Sequence, residues 1–382
     1  MVKEKGSKSD LDESVALYIH IPFCKQKCRY CAFLSYTNFS TGTLDEYVNR
    51  LIKELRLKLS QIEQERIKYV YIGGGTPNVL SIDQIKKIRR ELPDKLEEFS
   101  IELNPGLADL DYLKQLKMLG INRISAGIQS FNDENLRRLG RIHTSVEAKE
   151  FIDNIERAGF QNFNLDFIIA QPQQKWAQVK DDLEIAVSFN PTHISAYLLS
   201  IDKGTIFYRQ RDKIIPDLPK DEEIELIYFS TIRLLESYGY NQYEVSNYAK
   251  KGFECKYNLN TWENCEYVGI GLGSESHIDG LRFKNTSNLE RYLAGDYKAR
   301  YDKLEIDSIS NFEIATILGL RLRDGFNYKV PLSKLGNKER SKFEDGIALL
   351  TQEGFLEITN EKLKIPRQRI LLLDYIIGRL LI

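Results

Sequence analysis

The chain has 382 residues, a formal charge of −1 and five cysteines. Its length allows two or three domains, or one large barrel with an appendage, and its 42% hydrophobic and 29% charged residues exclude disorder and a disulfide-dependent miniature fold. With 54 Lys and Arg against 55 Asp and Glu there is no global field to attract a polyanion, so nucleic acid is not an expected partner.

Residues 1 to 14 are polar and lack the apolar core of a secretory signal, and no stretch is apolar enough to span a bilayer. The expected location is cytoplasmic, where clustered thiols bind metal or do redox chemistry more often than they form disulfides. From Val15 onward, short β-rich runs alternate with helical patterns. Strands are predicted over 15 to 21, 67 to 73, 99 to 104, 122 to 128, 163 to 169 and 193 to 199. Helices are predicted over 45 to 59, 81 to 92, 109 to 120, 145 to 159 and 176 to 189, two of them closed by Gly120 and Gly159. Six strand and helix units imply a parallel sheet, either doubly wound or curled into a barrel two units short of eight.

After Asp202 the rhythm breaks. A helix over 221 to 239 leads into the β-like runs QYEVSNYA and EYVGIGLGSESH. From Asp307 a helical region, a second helix over 338 to 354 and the β-like EITNEKLKI follow in the order of a winged helix, with mixed local charge. A packing or interaction module suits that charge better than a nucleic-acid binder.

Three cysteines, Cys24, Cys28 and Cys31, fall within CKQKCRYC directly after the first strand. Three thiolates this close suit an iron–sulfur cluster or zinc. Structural zinc wants a fourth protein ligand, for which His20 or Cys255 would have to serve. A 4Fe-4S cluster on three cysteines leaves one iron open, and a loop at the carboxyl end of a strand is where parallel β/α proteins hold small molecules. Gly73, Gly74 and Gly75 follow the second strand, as an ordinary tight turn would or as a backbone made bare for a ligand.

These motifs carry a resemblance. YIHIPFCKQKCRYCAF (18 to 33), YIGGGTPNVL (71 to 80), IELNPG (101 to 106), NRISAGIQSFNDENLRRLGRIH (122 to 143), NLDFIIAQP (164 to 172), HISAYLLSIDKGTIFY (193 to 208) and YEVSNYAKKG (243 to 252) resemble, in order, the radical S-adenosylmethionine (SAM) superfamily. The branch is the one that contains the oxygen-independent coproporphyrinogen III oxidases and the HemW heme chaperones. The resemblance implies an α/β fold, a partial (β/α)6 TIM-like barrel over 15 to 210, an α+β extension over 211 to 304 and a C-terminal winged-helix-like domain over 305 to 382. It also implies that Cys24, Cys28 and Cys31 hold a 4Fe-4S cluster, and that SAM chelates the open iron and yields a 5′-deoxyadenosyl radical on reduction. Gly74, Gly75 and Thr76 would run along the amino acid end of SAM, Glu102 and Arg141 would engage its charged methionine portion, and Gln129 and Asp166 would hydrogen-bond toward the nucleoside. Tyr18 would line the cluster side of the cavity or belong to the core. His20, His143 and His193 read as structural, and Cys255 and Cys265 as bystander thiols.

Within the branch, the oxidases place another cysteine two residues after the third, and this chain has Phe33 there, as the chaperones have an aromatic residue. Only about 17 residues precede Tyr18, without the long segment that oxidases use to cover the site. The resemblance therefore implies a chaperone with heme as cargo, heme-accepting proteins and an electron donor as partners, and a homodimer left open. The alternatives are a coproporphyrinogen oxidase or another radical SAM enzyme. The chain departs from the chaperone pattern at YNLNTW (257 to 262), where Tyr257 and Thr261 replace His and Tyr, at Glu275 in place of His, and at AQPQQ (170 to 174). Tyr257 is left as a heme ligand or a packed side chain.

Overall fold

Residue alternation within each strand sets the architecture. In the computed structural model, which describes residues 14 to 296, 304 to 305 and 308 to 381, six strands form in chain order. They are β1 (Val15–Ile21), β2 (Ile67–Gly74), β3 (Glu98–Leu103), β4 (Arg123–Gln129), β5 (Phe163–Ile169) and β6 (His193–Leu198), each parallel to the next. All but Ser14 of the polar tail expected over 1 to 14 lies outside the described residues.

Helices α1 (Thr41–Leu59), α2 (Ile82–Arg89), α3 (Leu110–Met118), α4 (Asp133–Leu139), α5 (Ser145–Arg157) and α6 (Trp176–Ser188) connect the strands. Ser40, Ser81 and Thr144 close capping boxes at the starts of α1, α2 and α5. The outer strand face carries Leu17, Ile19, Val70, Ile72, Ile101, Ile124, Leu165 and Ile194, which join helix residues such as Leu51, Leu55, Ile85, Leu113 and Ile155 in one core. Each such side chain contributes ~1.5–3 kcal/mol. The alternate positions are polar: Glu98, Ser100, Glu102, Arg123, Ser125, Asn164, Asp166, His193 and Ser195 face inward. An oil face outside and a polar face inside is the signature of a sheet that wraps around a site.

The sheet continues past the six units on both sides. β7 (Asn241–Gln242) and β8 (Asn247–Ala249) follow β6, with β8 antiparallel to it, while β9 (Glu266–Ile270) lies parallel to β1. β10 (Glu275–Ile278), β11 (Leu281–Lys284) and β12 (Leu304–Glu305) complete the other edge. The strand order runs from β12 to β7 without a closing pair among the described residues, a partial barrel as expected.

Two of the helices that had no counterpart in the sequence reading bear on the site. α4 has seven residues, too few for periodicity to show, and is framed by the Asn132 cap and by Gly140 at φ +78°. The helix Lys256–Trp262 follows Cys255 beneath the barrel; Glu98 on β3 accepts from its first two amides at 3.0 and 3.3 Å, so a buried carboxylate caps it in place of a local residue.

Beyond the barrel come helices Ser308–Gly319 and Asn337–Gln352, the hairpin β13 (Glu357–Thr359) and β14 (Lys362–Lys364), and helix Leu373–Leu381. Asn360 and Glu361 both take positive φ, as a two-residue hairpin loop needs. No helix among the described residues is long and apolar enough to cross a membrane.

Candidate functional site

The cysteine loop is held by backbone bonds. Cys24 N donates to Tyr36 O, and Tyr36 N to Pro22 O, closing the loop on itself. Arg29 N donates to Leu139 O at the end of α4, the Gln26 amide to Gly140 O, and Phe207 N to Arg29 O. α4, unseen in the sequence, is thus the loop's main external anchor. The three thiols line one cavity of about 460 Å³ at the carboxyl ends of the strands. Burial raises the Cys24 and Cys31 thiol pKa values, and the neighbouring Cys28 adds to each.

The glycine run faces protein at least as closely as it faces the cavity. A Cβ on Gly73 would stand 2.9 Å from the Glu102 carboxyl carbon, one on Gly74 (φ +116°) 2.4 Å from the His20 ring, and one on Gly75 2.7 Å from Phe23 O. The missing side chains let β2 end flush against β1 and the cysteine loop, where Gly75 N and Thr76 N donate to Ile21 O and Phe23 O. Glu102 accepts from Tyr71 Oη at 2.9 Å and Gly74 N at 3.0 Å. Burial, with Asp166 nearby, pushes its pKa up to about 7.

At the end of β4 the ladder slips a residue and Gln129 adopts φ +70°, an uncommon conformation for a side chain of this size. The bulge aims Gln129 into the cavity. Arg141 donates to Gly127 O at 2.7 Å, to Asn104 Oδ1 at 2.5 Å and to Cys28 Sγ at 3.4 Å, and its buried Nε has no partner. Asn104, which sequence reasoning passed over, also donates to Thr76 Oγ1 at 2.9 Å and joins the glycine loop to Arg141. Its only signal was its place at a strand end inside IELNPG. Asp166 accepts from Ser125 Oγ at 3.0 Å and Asn164 Nδ2 at 2.8 Å and also lines the cavity.

The cavity thus gathers Cys24, Cys28, Cys31, Gly74, Gly75, Thr76, Glu102, Gln129, Arg141 and Asp166. Tyr18 stands apart: its hydroxyl meets His20 Nδ1 and its ring stacks on Tyr71 and Tyr257, a layer below. The donor set suits a cluster and a zwitterionic cation. Three thiols face the space, Arg141 lines it with a cationic guanidinium suited to an anionic group, and two carboxylates can face positive charge. Among the described residues, neither candidate for the fourth ligand of a closed zinc site is available. Both His20 nitrogens are hydrogen-bonded, to Tyr18 and Leu34 O, and fully buried Cys255 is bonded to Glu98 instead.

The departures from the chaperone pattern also find their places. Tyr257 packs on Tyr71 with ring centroids 5.0 Å apart, and burial raises its pKa, which disfavours the tyrosinate a heme iron would want. Glu275 pairs with Lys284 across the exposed β10 and β11 hairpin at 3.1 Å. His143 and His193 are buried and hydrogen-bonded.

Comparison with known proteins agrees with this geometry. Residues 18 to 186 match the radical SAM superfamily. The chain is 35% identical to the heme chaperone HemW of Lactococcus lactis over 372 residues, 95% of this chain and 94% of that one. It is 33% identical to the HemW of Bacillus subtilis over 95% of this chain and 98% of that one, and 38% identical to that of Escherichia coli over 74% and 76%. Among solved structures, the coproporphyrinogen III oxidase HemN of Escherichia coli superposes with a TM-score of 0.80 at 23% identity, covering 97% of this chain and 90% of that one, which is a likeness of fold. With its relatives matching nearly end to end, the chain belongs to the radical SAM superfamily and, within it, to the HemW family.

Proposed function

We propose that this protein is a heme chaperone: it binds heme as cargo and delivers it to heme-accepting proteins, with a 4Fe-4S cluster and SAM in its cavity. The observation that carries the reading is the identity, spread over 95% of the chain, to a protein named heme chaperone HemW. Phe33 supports it, for the position two residues after the third cysteine is an aromatic ring, 68% exposed at the cavity rim, and not a thiol.

Cys24, Cys28 and Cys31 would hold three irons and leave the fourth for SAM. When bound, the cluster and SAM supply one-electron chemistry. Around them the chain's own side chains bind and orient. Glu102 is drawn to its charged form by an ammonium placed against it, Arg141 reaches a carboxylate, and Gln129 and Asp166 meet the nucleoside. The barrel over 15 to 210 carries the cofactors, the extension over 211 to 304 backs the cysteine loop, and 305 to 382 serves as an interaction module. A cytoplasmic setting and a protein electron donor complete the reading.

Anaerobic reconstitution followed by heme titration tests it. A saturable Soret shift with the cluster intact is expected. Absence of that shift sinks the proposal, and protoporphyrinogen formed from coproporphyrinogen III with SAM and reductant would make the protein an oxidase.

A further inference from the structure

Below the cavity, the inward faces of β4, β5 and β6 carry a chain of hydrogen bonds with one direction. Asn164 Nδ2 donates to Asp166 Oδ1 and Ser125 Oγ, both at 2.8 Å, and Ser125 Oγ donates to Asp166 Oδ2 at 3.0 Å. Those two acceptors commit the Asn164 amide: its nitrogen faces Asp166, so its oxygen faces away. That oxygen accepts from Ser195 Oγ at 3.1 Å and lies 2.7 Å from His193 Nδ1. A carbonyl oxygen only accepts, so Nδ1 must carry the proton. Nε2 of a neutral ring is then bare, and the Tyr243 hydroxyl at 2.9 Å donates to it.

A neutral ring is what this site permits. His193 is fully buried, and the neighbouring Arg123 guanidinium, itself buried, opposes a second positive charge. Asn164, Ser125 and Ser195 are also buried, which strengthens these bonds. Asp166 ends the chain as a pure acceptor and lines the cavity, with lone pairs left for donors arriving from that side.

We propose that His193 is a positioning residue: held as the Nδ1–H tautomer by Tyr243, it fixes the Asn164 amide, and through it the orientation in which Asp166 meets hydroxyl donors of a nucleoside in the cavity. The inference rests on the assignment of Asp166 to SAM made above. Without the His193 donor, the Asn164 oxygen keeps only the Ser195 hydroxyl, and the amide is held less firmly in the orientation that donates to Asp166.

Two measurements on the full chain test it. With 15N-labelled histidine, the His193 ring, identified by its loss in His193→Asn, should show a protonated Nδ1 and a bare Nε2; the opposite tautomer overturns the proposal whatever the variants do. In reconstituted protein, His193→Leu should weaken SAM on the order of tenfold with iron content unchanged. His193→Asn, whose amide N–H can reach the Asn164 oxygen, should recover most of that loss. Wild-type SAM affinity in His193→Leu while Asp166→Asn is weakened would overturn the positioning role alone. Wild-type affinity in Asp166→Asn would overturn the SAM assignment beneath it.

Discussion

The cysteine loop and the inward strand face reach the same cavity by different means. The loop's cysteines are placed by backbone bonds: Cys24 N to Tyr36 O, Arg29 N to Leu139 O, and Gly75 N to Ile21 O. The strand face is placed by side chains that bond one another, as in Tyr243, His193, Asn164, Ser125 and Asp166. Backbone tethering leaves the thiols free to be ligands, so their loss should cost the cofactor and spare the fold. Side-chain interlocking makes each polar residue of the strand face answer for its neighbours.

The largest expected effect breaks the loop side alone. Cys28→Ser should lose the cluster outright, seen as iron content and the visible chromophore collapsing together, while the thermal unfolding midpoint of the metal-free protein stays near that of the metal-free wild type. A large fall in that midpoint would mean that the thiol also carries the fold.

Acid tests the seam between the two. Burial lowers the pKa of His20 and of His143 to about 4, with Arg141 adding to the second. The unfolded chain takes up these protons near pH 6.5 and the folded chain only near pH 4. Their stabilisation is therefore full above pH 6.5 and lost as pH falls toward 4, on the order of 2–3 kcal/mol for each. Denaturant titrations at pH 7 and pH 4.5 should show the drop, and His143→Gln should flatten it.

A smaller effect sharpens the seam's geometry. Gly74→Ala forces a methyl into the His20 ring at φ +116° and should cost roughly 2–4 kcal/mol. Gly159→Ala, at φ +85° with nothing within 4 Å, should cost only about 1 kcal/mol. Equal costs in chemical denaturation would show that backbone strain matters and the close approach to His20 does not.

Much of the site was legible because its chemistry is written in short, contiguous motifs. The cysteine spacing and the glycine run stand at the ends of their strands and can be read from local pattern, whereas Glu102, one residue before the end of β3, and Asp166, in the middle of β5, were singled out only by the resemblance. Asn104 was not legible, since its importance comes from touching Thr76 and Arg141, 28 and 37 residues away. Glu98 was hidden for the same reason, as a cap for a helix more than 150 residues downstream. Tyr257 looked like a ligand candidate in the motif and is a stacked ring in the fold, because the motif does not say which face of a seven-residue helix meets Tyr71.

By itself the sequence determined the six β/α units, their order and the thiol trio, because apolar periodicity and spacing are local quantities. Only the tertiary structure decided that β9 returns parallel to β1, that α4 anchors the cysteine loop, and that His193 lies in line with Asp166. Those facts depend on which distant residues share a strand register or a buried face, and hydrogen-bond partners so far apart in the chain leave no trace in either neighbourhood.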